Sequence, residues 1–403
     1  MSRRILFVDD DPNLLMSLQR TLRPMRAQWE MEFVASGEEA LQSFSRGPFD
    51  AIVTDMRMPG MTGAELLEKI QDRFPQTIRI ILSGQSDKES IIRSITSAHR
   101  FLSKPCDVGQ LKSLLERTIA LTDLLGNEPL KKVISRLTCV PSLPVLYEEV
   151  TRELRSGDPS PARIGRIISQ DMGMTAKILQ MVNSAVYGIC SEISEPGQAV
   201  LHLGLDTVQA LVLSLSVFSA FKPHLLSASD AERLWDHSVS VSRFSRLIAI
   251  AEGVPARSLD HYQSAGLLHD IGKLVIASAD PAGHRKIAHQ AESTKSTEWL
   301  AETQFLGCSH AEIGAYLLGI WGLPAPIVEA VAWHHRPSDS LVDSFSPLAA
   351  VHAASAFHAQ LHPELTHCDP MLDQAFLDRI GMAGRQEAWM ECCNAEAGER
   401  WQK

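Results

Sequence analysis

The sequence predicts a doubly wound α/β domain followed by an all-helical domain. Short apolar runs rich in β-branched residues, at 5–8, 51–54 and 77–83, alternate with amphipathic segments of helical length. Strands that alternate with helices are typical of a parallel sheet covered by helices on both faces. After about residue 130 such runs nearly vanish, and apolar residues recur at helical spacing, as in 161–185. Two domains of different class are therefore expected in the 403 residues.

Composition restricts the classes of protein to which the chain can belong. Hydrophobic residues make up 45% of the sequence and charged residues 21%, as in soluble globular proteins. A net charge of -10 argues against non-specific binding to nucleic acid or to acidic membranes. No apolar run reaches the roughly 18 residues needed to cross a bilayer, and the apolar run at 5–8 is too short for a signal peptide. The seven scattered cysteines contain no CxxC pair and predict reduced thiols in a cytoplasmic protein.

Polar residues with a shared chemistry follow the predicted strands of the first domain. They are Asp9, Asp10, Asp55, Ser83 and Lys104. Because ligands of parallel sheets bind outside the carboxyl ends of the strands, these side chains should converge on one edge. Clustered carboxylates attract a hard cation such as Mg2+, and a lone carboxylate can act as a nucleophile toward a phosphoryl group. The lysine would offset charge on that group, and the serine hydroxyl could bond a new phosphate oxygen.

Residues 1–122 resemble the receiver domain of two-component response regulators, on the motifs "RILFVDDDPNLL", "FDAIVTDMRMPGMTG" and "FLSKP". The resemblance implies a five-stranded parallel sheet and phosphorylation by a sensor histidine kinase. It implies a role for each matching residue: Mg2+ ligands Asp9, Asp10 and Asp55, phosphoacceptor Asp55, switch hydroxyl Ser83, switch aromatic Phe101 and, at Lys104, the lysine typical of the family. In a plainer interpretation the acidic run solvates a strand end, and Phe101 is ordinary strand core.

The rest of the chain divides into three segments. "GNEP" at 126–129 ends the last helix of the first domain and indicates a boundary, so 123–138 is expected to be a linker helix or turn. Residues 139–336 form the predicted helical domain. Residues 337–403 are expected to be a helical extension that packs on it.

Histidine is distributed unevenly, since only one of the 15 precedes residue 200. An adjacent His269–Asp270 pair lies inside an apolar segment, where burial of both groups is unfavourable unless they are paired or bound to a metal. Imidazoles and a carboxylate on several helices can form a site for Fe, Mn or Zn. The candidate residues are His237, His269, Asp270, His310, His334 and His335.

The helical segment resembles the HD superfamily of metal-dependent phosphohydrolases and, over about 130–335, the related HDOD domain. The resemblance rests on "VPSLPVLYEEV", "IISQDMGMTAKILQMVNSAVYG", "AVLHLGLDTVQALVLS" and "HAEIGAYLLGIWGLPAPIVEAVAWHHRP". HDOD domains are regarded as signalling modules without demonstrated hydrolase activity. If this domain is a hydrolase, Lys273 would neutralise a substrate phosphate. If it is not catalytic, Lys273 would extend to solvent, as lysines usually do.

The helical segment departs from the hydrolase pattern at two places. The late Asp ligand of the hydrolases corresponds here to Ser355, a poor replacement, although His352 on the same helical face could substitute. The Gly-Tyr-Pro loop of cyclic-di-GMP phosphodiesterases is replaced by "HHRPSDS". These departures favour a buried hydrogen-bonded remnant over a catalytic metal centre.

The sequence therefore predicts a phosphorylation-controlled response regulator in which phosphorylation of Asp55 alters a non-catalytic HDOD module that binds an unknown signalling protein. The alternative is a metal-dependent HD-type phosphohydrolase acting on a nucleotide or cyclic dinucleotide. The chain could form a homodimer. No membrane association is expected, and direct DNA binding is disfavoured because the chain is acidic and lacks a basic recognition helix.

Overall fold

The computed structural model describes residues 3–83, 94, 97–104, 108–109, 111–112, 114–116, 144–183, 192–213, 228–362 and 371–400. The predicted linker at 123–138 lies outside these residues. Among the helices so described, none is both long and apolar enough to cross a membrane.

The N-terminal domain is a parallel sheet with helices between its strands. The strands are β1 (Arg3–Val8), β2 (Trp29–Val34), β3 (Ala51–Asp55), β4 (Ile78–Ser83) and β5 (Arg100–Ser103). The helices are α1 (Pro12–Thr21), α2 (Gly37–Ser45) and α3 (Gly63–Arg73). All strand pairs are parallel, in the order β2-β1-β3-β4-β5. The predicted doubly wound α/β class is confirmed.

The central strands are buried on both faces of the sheet. In β1, Ile5 and Phe7 pack into the apolar core on one face, while Leu6 and Val8 pack into the core on the other. None of these four side chains is more than 1% exposed. Helices on both faces therefore explain why the strand appears in the sequence as a continuous apolar run.

The described residues from 144 onward are mostly helical, as predicted. Its helices are α4 (Pro144–Leu154), α5 (Pro161–Ile168), α6 (Met172–Val182), α7 (Pro196–Leu203), α8 (Leu205–Leu213), α9 (Ala228–Ala251), α10 (Leu259–Leu268), α11 (Ile271–Ala279), α12 (Pro281–Thr294), α13 (Glu298–Leu306), α14 (His310–Trp321), α15 (Ala325–Trp333), α16 (Pro347–Leu361), α17 (Gln374–Arg379) and α18 (Gln386–Arg400). Long helix α9 packs against α10, α16 and α18. On α18, the buried Trp389 donates through Nε1 to Glu252 Oε1 at 2.7 Å, so the C-terminal segment packs on the helical core.

Helices α11 and α14 approach closely at a glycine. A Cβ atom on Gly272 would lie 1.9 Å from the carbonyl oxygen of His310, closer than real Cβ atoms approach. A side chain at this position would push the backbone of α14 away. The glycine therefore permits the crossing that brings the start of α14 beside the start of α11.

The two domains are in contact at the β5 edge of the sheet. Gln180 on α6 donates through Nε2 to the carbonyl oxygen of His99 at 3.3 Å. Beside it, Lys177 Nζ lies 4.0 Å from the ring centroid of Trp321, the last residue of α14. The partly buried His99 also accepts from the main-chain N–H of Arg79 through Nδ1 at 3.1 Å. This polar contact joins β4 and β5 to the helical domain.

Candidate functional site

The carboxyl ends of three strands bring together two carboxylates and a lysine. Lys104 Nζ lies 2.7 Å from Asp9 Oδ2 and 2.6 Å from Asp55 Oδ1. Asp9 follows β1, Asp55 ends β3, and Lys104 follows β5, which is the convergence that a parallel sheet produces. The exposed Asp10 offers a third carboxylate, and one oxygen from each of the three acids lies within 4.8 Å of the others. These hard oxygen donors suit Mg2+.

The charges in this acidic cluster depend on one another. Burial raises the pKa of Asp55, and the negative charge of Asp9 adds to that effect, while Lys104 opposes it. Burial disfavours the charge on Lys104, but hydrogen bonds and attraction from both carboxylates prevail and raise its pKa. Lys104 is therefore a fixed cation shared by the two acids.

Ser83 and Phe101 lie on neighbouring strands next to the acidic cluster. The Ser83 hydroxyl is buried and has no hydrogen-bond partner among the described residues. Its carbonyl oxygen accepts from the main-chain N–H of Lys104 at 2.7 Å, which ties the end of β4 to the lysine. Phe101 is 2% exposed and packs in the apolar core with Ile81, its partner in the β4–β5 register.

All six histidine and aspartate candidates of the helical domain converge on one point, which we call the histidine centre. Asp270 is common to two groups whose ligand atoms lie within 4.8 Å of one another. The first group is His237, His269 and Asp270, and the second is Asp270, His310, His334 and His335. All are buried except His335, which is partly exposed.

Main-chain contacts turn two imidazoles toward Asp270. Nδ1 of His269 lies 2.7 Å from the carbonyl oxygen of Gly266, and Nδ1 of His334 lies 2.9 Å from that of Val331. A carbonyl oxygen only accepts, so each Nδ1 carries the proton and each Nε2 presents a lone pair to the centre. His334 Nε2 and Asp270 Oδ1 lie 3.8 Å apart, and both lack a hydrogen-bond partner among the described residues.

Charged groups surround this arrangement. Lys273 Nζ lies 2.9 Å from Asp270 Oδ2 and 3.1 Å from Glu298 Oε2. Glu302 Oε2 lies 2.7 Å from His310 Nδ1, and His310 Nε2 lies 3.0 Å from Asp270 Oδ1 without hydrogen-bond geometry. Asp270 is therefore held between cationic and imidazole groups.

Burial and these neighbours set the protonation states. Burial lowers the pKa of His334 and His335 well below the usual value, so both are neutral and able to bind a metal. Burial opposes charge on Asp270, but His269, Lys273 and His310 outweigh it and lower its pKa. Burial also opposes charge on His310, but Glu302 and Asp270 raise its pKa to about 9. Nitrogen and oxygen donors in this ratio suit Fe, Mn or Zn.

The prediction that His352 could replace the carboxylate missing at Ser355 is wrong. Both ring nitrogens of His352 are already engaged, because Nδ1 lies 2.7 Å from the carbonyl oxygen of His334 and Nε2 accepts from the N–H of Asp373 at 2.8 Å. His352 therefore has no nitrogen to offer a metal. Ser355 is buried on the same helix, and His358, three residues later, is the one that reaches the centre, with Nδ1 2.9 Å from His237 Nδ1.

Three residues of this region were not identified from the sequence: Glu298, Glu302 and His358. The two glutamates lie four residues apart on α13, a spacing that is equally common on solvent-exposed helices. His358 lies in "AAVHAASAFHA", where His352 carries the same local signal. The distance in sequence between these residues and their partners hides their role.

Comparison with protein families accounts for both domains. The family described as the response regulator receiver domain matches residues 5–116, and the family described as the HDOD domain matches residues 140–337. These matches confirm both resemblances that the sequence motifs indicated.

Relatives match parts of the chain. An uncharacterized protein of Treponema pallidum is 30% identical over 206 residues, covering 51% of this chain and 39% of that protein. The hydrogenase transcriptional regulatory protein HoxA of Cupriavidus necator is 30% identical over 154 residues, covering 38% of this chain and 30% of HoxA. The response regulator protein PilR of Pseudomonas aeruginosa is 34% identical over 123 residues, covering 30% of this chain and 27% of PilR. The chain thus spans less than two fifths of the length of each of these curated relatives.

One similar solved structure is the MmoQ response regulator of Methylococcus capsulatus. It is 21% identical to this chain and covers 63% of it and 98% of the MmoQ chain, with a TM-score of 0.49.

Proposed function

From the presence of a response regulator receiver domain and an HDOD domain in this chain, we propose that it is a phosphorylation-controlled response regulator of a two-component system. A sensor histidine kinase supplies the phosphoryl group, and Asp55 accepts it. The observation that carries the proposal is the position of Lys104, which contacts both Asp9 and Asp55 at the end of the sheet.

The residues of the acidic cluster divide the work of phosphoryl transfer. Asp9, Asp10 and Asp55 would hold Mg2+, which supplies positive charge beside the phosphoryl oxygens. A carboxylate oxygen of Asp55 attacks phosphorus, and the bond from phosphorus to the kinase histidine breaks. Lys104 neutralises charge on the transferred group. The Ser83 hydroxyl, which has no hydrogen-bond partner among the described residues, donates to a phosphate oxygen of that group.

Movement of Ser83 at the end of β4 would be transmitted to the helical domain through the neighbouring strand β5. Ser83 ends β4 and is bonded to Lys104 after β5, while His99 precedes β5 and contacts Gln180 of the helical domain. A change in the position of Ser83 would therefore act on the carboxyl end of β5, and the strand would carry it to His99 at the other end. Repacking of the buried Phe101 at the middle of this strand would accompany it.

The test uses the full chain with a small phosphodonor and, separately, with beryllofluoride. We expect the mass of one phosphoryl group on the wild type and none on Asp55→Asn. Hydrogen exchange should change at 97–104 and at 172–182 in the wild type alone. Phosphorylation at another residue would refute the assignment of Asp55. Unchanged exchange in both segments on a phosphorylated chain would refute the route through β5.

For the output we propose first a protein-interaction module, since HDOD domains are signalling modules and Ser355 lacks a carboxylate. One observation favours a second candidate, a metal-dependent phosphohydrolase: His334 Nε2 and Asp270 Oδ1 face each other without hydrogen-bond partners among the described residues. Two acceptors so placed repel each other unless a cation or proton lies between them. His310 Nε2 lies 3.0 Å from the same Asp270 oxygen but without hydrogen-bond geometry, and it leaves His334 Nε2 without a partner among the described residues. The six candidates would hold one or two ions of Fe, Mn or Zn, which could activate water at a phosphodiester.

Metal content separates these outputs. We expect about one or two equivalents of Fe, Mn or Zn in metal-replete wild type by mass spectrometry, and a loss of that metal in His269→Ala. Hydrolysis of nucleotide or cyclic dinucleotide substrates by the loaded protein would support the phosphohydrolase. Stoichiometric metal without hydrolysis would support an interaction module with a structural metal. Absence of stoichiometric metal would eliminate the hydrolase.

A further inference from the structure

We propose that Glu302 and His358 are positioning residues of the histidine centre, which hold the Nδ1 side of His310 and of His237 so that a metal bound beside Asp270 takes the place of the proton on Nε2. This inference rests on the proposed metal centre and assigns the two residues that support its ligands from outside. Both lie on helices that contribute none of the six candidates, since Glu302 is on α13 and His358 is on α16.

Glu302 fixes both the backbone and the ring of His310. A single oxygen, Oε2, accepts from the main-chain N–H of His310 at 2.6 Å and contacts its Nδ1 at 2.7 Å. A carboxylate oxygen accepts, so Nδ1 must donate, and a metal can then bind only through Nε2. Glu302 is 2% exposed, so no water shell weakens these contacts.

The geometry at Nε2 of His310 matches this assignment. The atom lies 3.0 Å from Asp270 Oδ1 and 3.0 Å from His335 Nε2, on the side of the ring opposite Glu302. A carboxylate that holds the far nitrogen of a metal-binding histidine fixes the ring orientation and makes the ligand more basic. Glu302 stands in this relation to His310.

His358 holds His237 in the corresponding way. The two Nδ1 atoms lie 2.9 Å apart, both residues are buried, and His237 Nε2 lies 3.2 Å from His269 Nε2. His269 Nε2 is a lone pair, because its Nδ1 proton is directed at Gly266. In the metal-free structure the proton of the 3.2 Å contact therefore belongs to His237 Nε2. A metal would displace that proton, and His237 would then donate from Nδ1 to His358. The Nε2 atoms of His237 and His269 lie 3.8 and 3.5 Å from Asp270 Oδ2.

The place of His358 explains how the chain retains order without the carboxylate that Ser355 replaces. His358 is three residues after Ser355 on α16, on the same face of the helix. Its Nδ1 contacts the candidate ligand His237 rather than Asp270. Helix α16 therefore contributes support to the centre through an imidazole of its own.

The experiment measures binding of Zn2+ alone, and of Co2+ for its absorption spectrum, to the metal-free full chain. We expect Glu302→Gln and His358→Leu each to bind about 10- to 100-fold more weakly than wild type, with an altered Co2+ spectrum. His358→Asn should recover much of the affinity, because its side-chain oxygen can accept the Nδ1 proton of His237. Glu312→Gln is the matched control, since Glu312 pairs with Ser309 and Arg336 and does not contact the imidazoles. A glutamine at this position can keep the capping box with Ser309.

The outcomes distinguish the centre from its support. Wild type that takes up no stoichiometric Zn2+ or Co2+ would overturn the metal centre itself. Tight binding by wild type, Glu302→Gln and His358→Leu alike would overturn the positioning roles and leave the centre standing. Equal weakening in Glu312→Gln, or identical binding by His358→Asn and His358→Leu, would also overturn them, because the loss would then reflect general destabilisation. Circular dichroism of each metal-free variant identifies any that fails to fold, and for such a position His358→Asn or Glu302→Asp supplies the measurement.

Discussion

The acidic cluster and the histidine centre both collect charged groups, but they do so in opposite surroundings. The acidic cluster lies at the open edge of a sheet, where Asp10 is exposed and the side chain of Lys104 is 28% exposed. The histidine centre lies inside a helical core, with Asp270 1% exposed. Solvent access suits a site that must meet an external phosphodonor repeatedly. Burial suits a group that is bound once and kept, and it makes each charge depend more strongly on its partners.

The largest effect should come from breaking the buried centre. We expect Asp270→Asn to lower the free energy of unfolding of the helical domain by about 3–5 kcal/mol, because Lys273 and His310 lose a buried counter-charge. Urea unfolding in the presence of a chelator measures this loss. Asp260→Asn, a carboxylate that pairs with Arg246 near the surface, should lose less than about 1 kcal/mol. Equal losses in the two variants would show that the centre is not electrostatically coupled.

The corresponding change in the acidic cluster should be smaller and reversible. We expect Lys104→Met to destabilise the N-terminal domain by about 1–2 kcal/mol in metal-free buffer, since two adjacent carboxylates lose their shared cation. Millimolar Mg2+ should restore most of the loss, because it replaces the missing charge. Lys112→Met removes an exposed pair with Glu116 and should change stability by less than about 0.5 kcal/mol. Failure of Mg2+ to rescue Lys104→Met would argue against a cation site at the three acids.

The contact between the N-terminal domain and the helical domain, which includes His99, should weaken at acidic pH. Burial, with the nearby charges of Arg79 and Lys177, lowers the pKa of His99 well below 6.5. Because the pKa of His99 is lower in the folded protein than in the unfolded chain, the stability that neutral His99 contributes is fully present above its unfolded pKa. This stability is lost as the pH falls below about 6.5. The loss is at most about 1.4 kcal/mol per pH unit for one proton. Solution scattering from pH 7.5 to 5 should show the domains separating.

The control for this pH effect keeps the acceptor and removes the titration. In His99→Asn the side-chain oxygen can take the place of Nδ1 and accept from the N–H of Arg79. Its domain spacing should be independent of pH over the same interval. An identical pH profile in wild type and His99→Asn would assign the transition to another group.

The smallest effects concern the helix starts beside each centre. Helix α3 begins with a capping box of Thr62 and Glu65, and α14 begins with one of Ser309 and Glu312. We expect Thr62→Ala and Ser309→Ala each to cost about 1 kcal/mol. Only Ser309→Ala should also weaken metal binding, because His310 is the first residue of its helix, whereas Thr62→Ala should leave phosphorylation of Asp55 unchanged. Thermal unfolding, metal titration and intact mass measure the three quantities.

The sequence predicts the two centres to different extents for a physical reason. In a parallel sheet, strand order does not change which end of a strand faces the ligand edge, so Asp9, Asp55 and Lys104 could be grouped without knowing the fold in detail. Strand β2 is harder to recognise, since it carries alternating glutamates at an edge of the sheet. Helix packing has no such rule. Residue type identified the six candidates, but Glu302 and His358 depend on which helices meet, and the choice of His352 failed for that reason.

The glycine at the crossing of α11 and α14 changes what a sequence motif can mean. In the motif "HDIGK" (269–273), the imidazole of His269 and the carboxylate of Asp270 face the histidine centre. Gly272 is required for a different reason, because a Cβ atom at this position would meet the backbone of His310. Selection for a folded domain would thus retain this glycine in a descendant that had lost every metal and every substrate. Part of a sequence motif that is used to infer catalysis therefore reflects helix packing, and a signalling domain can retain it after catalytic activity has been lost.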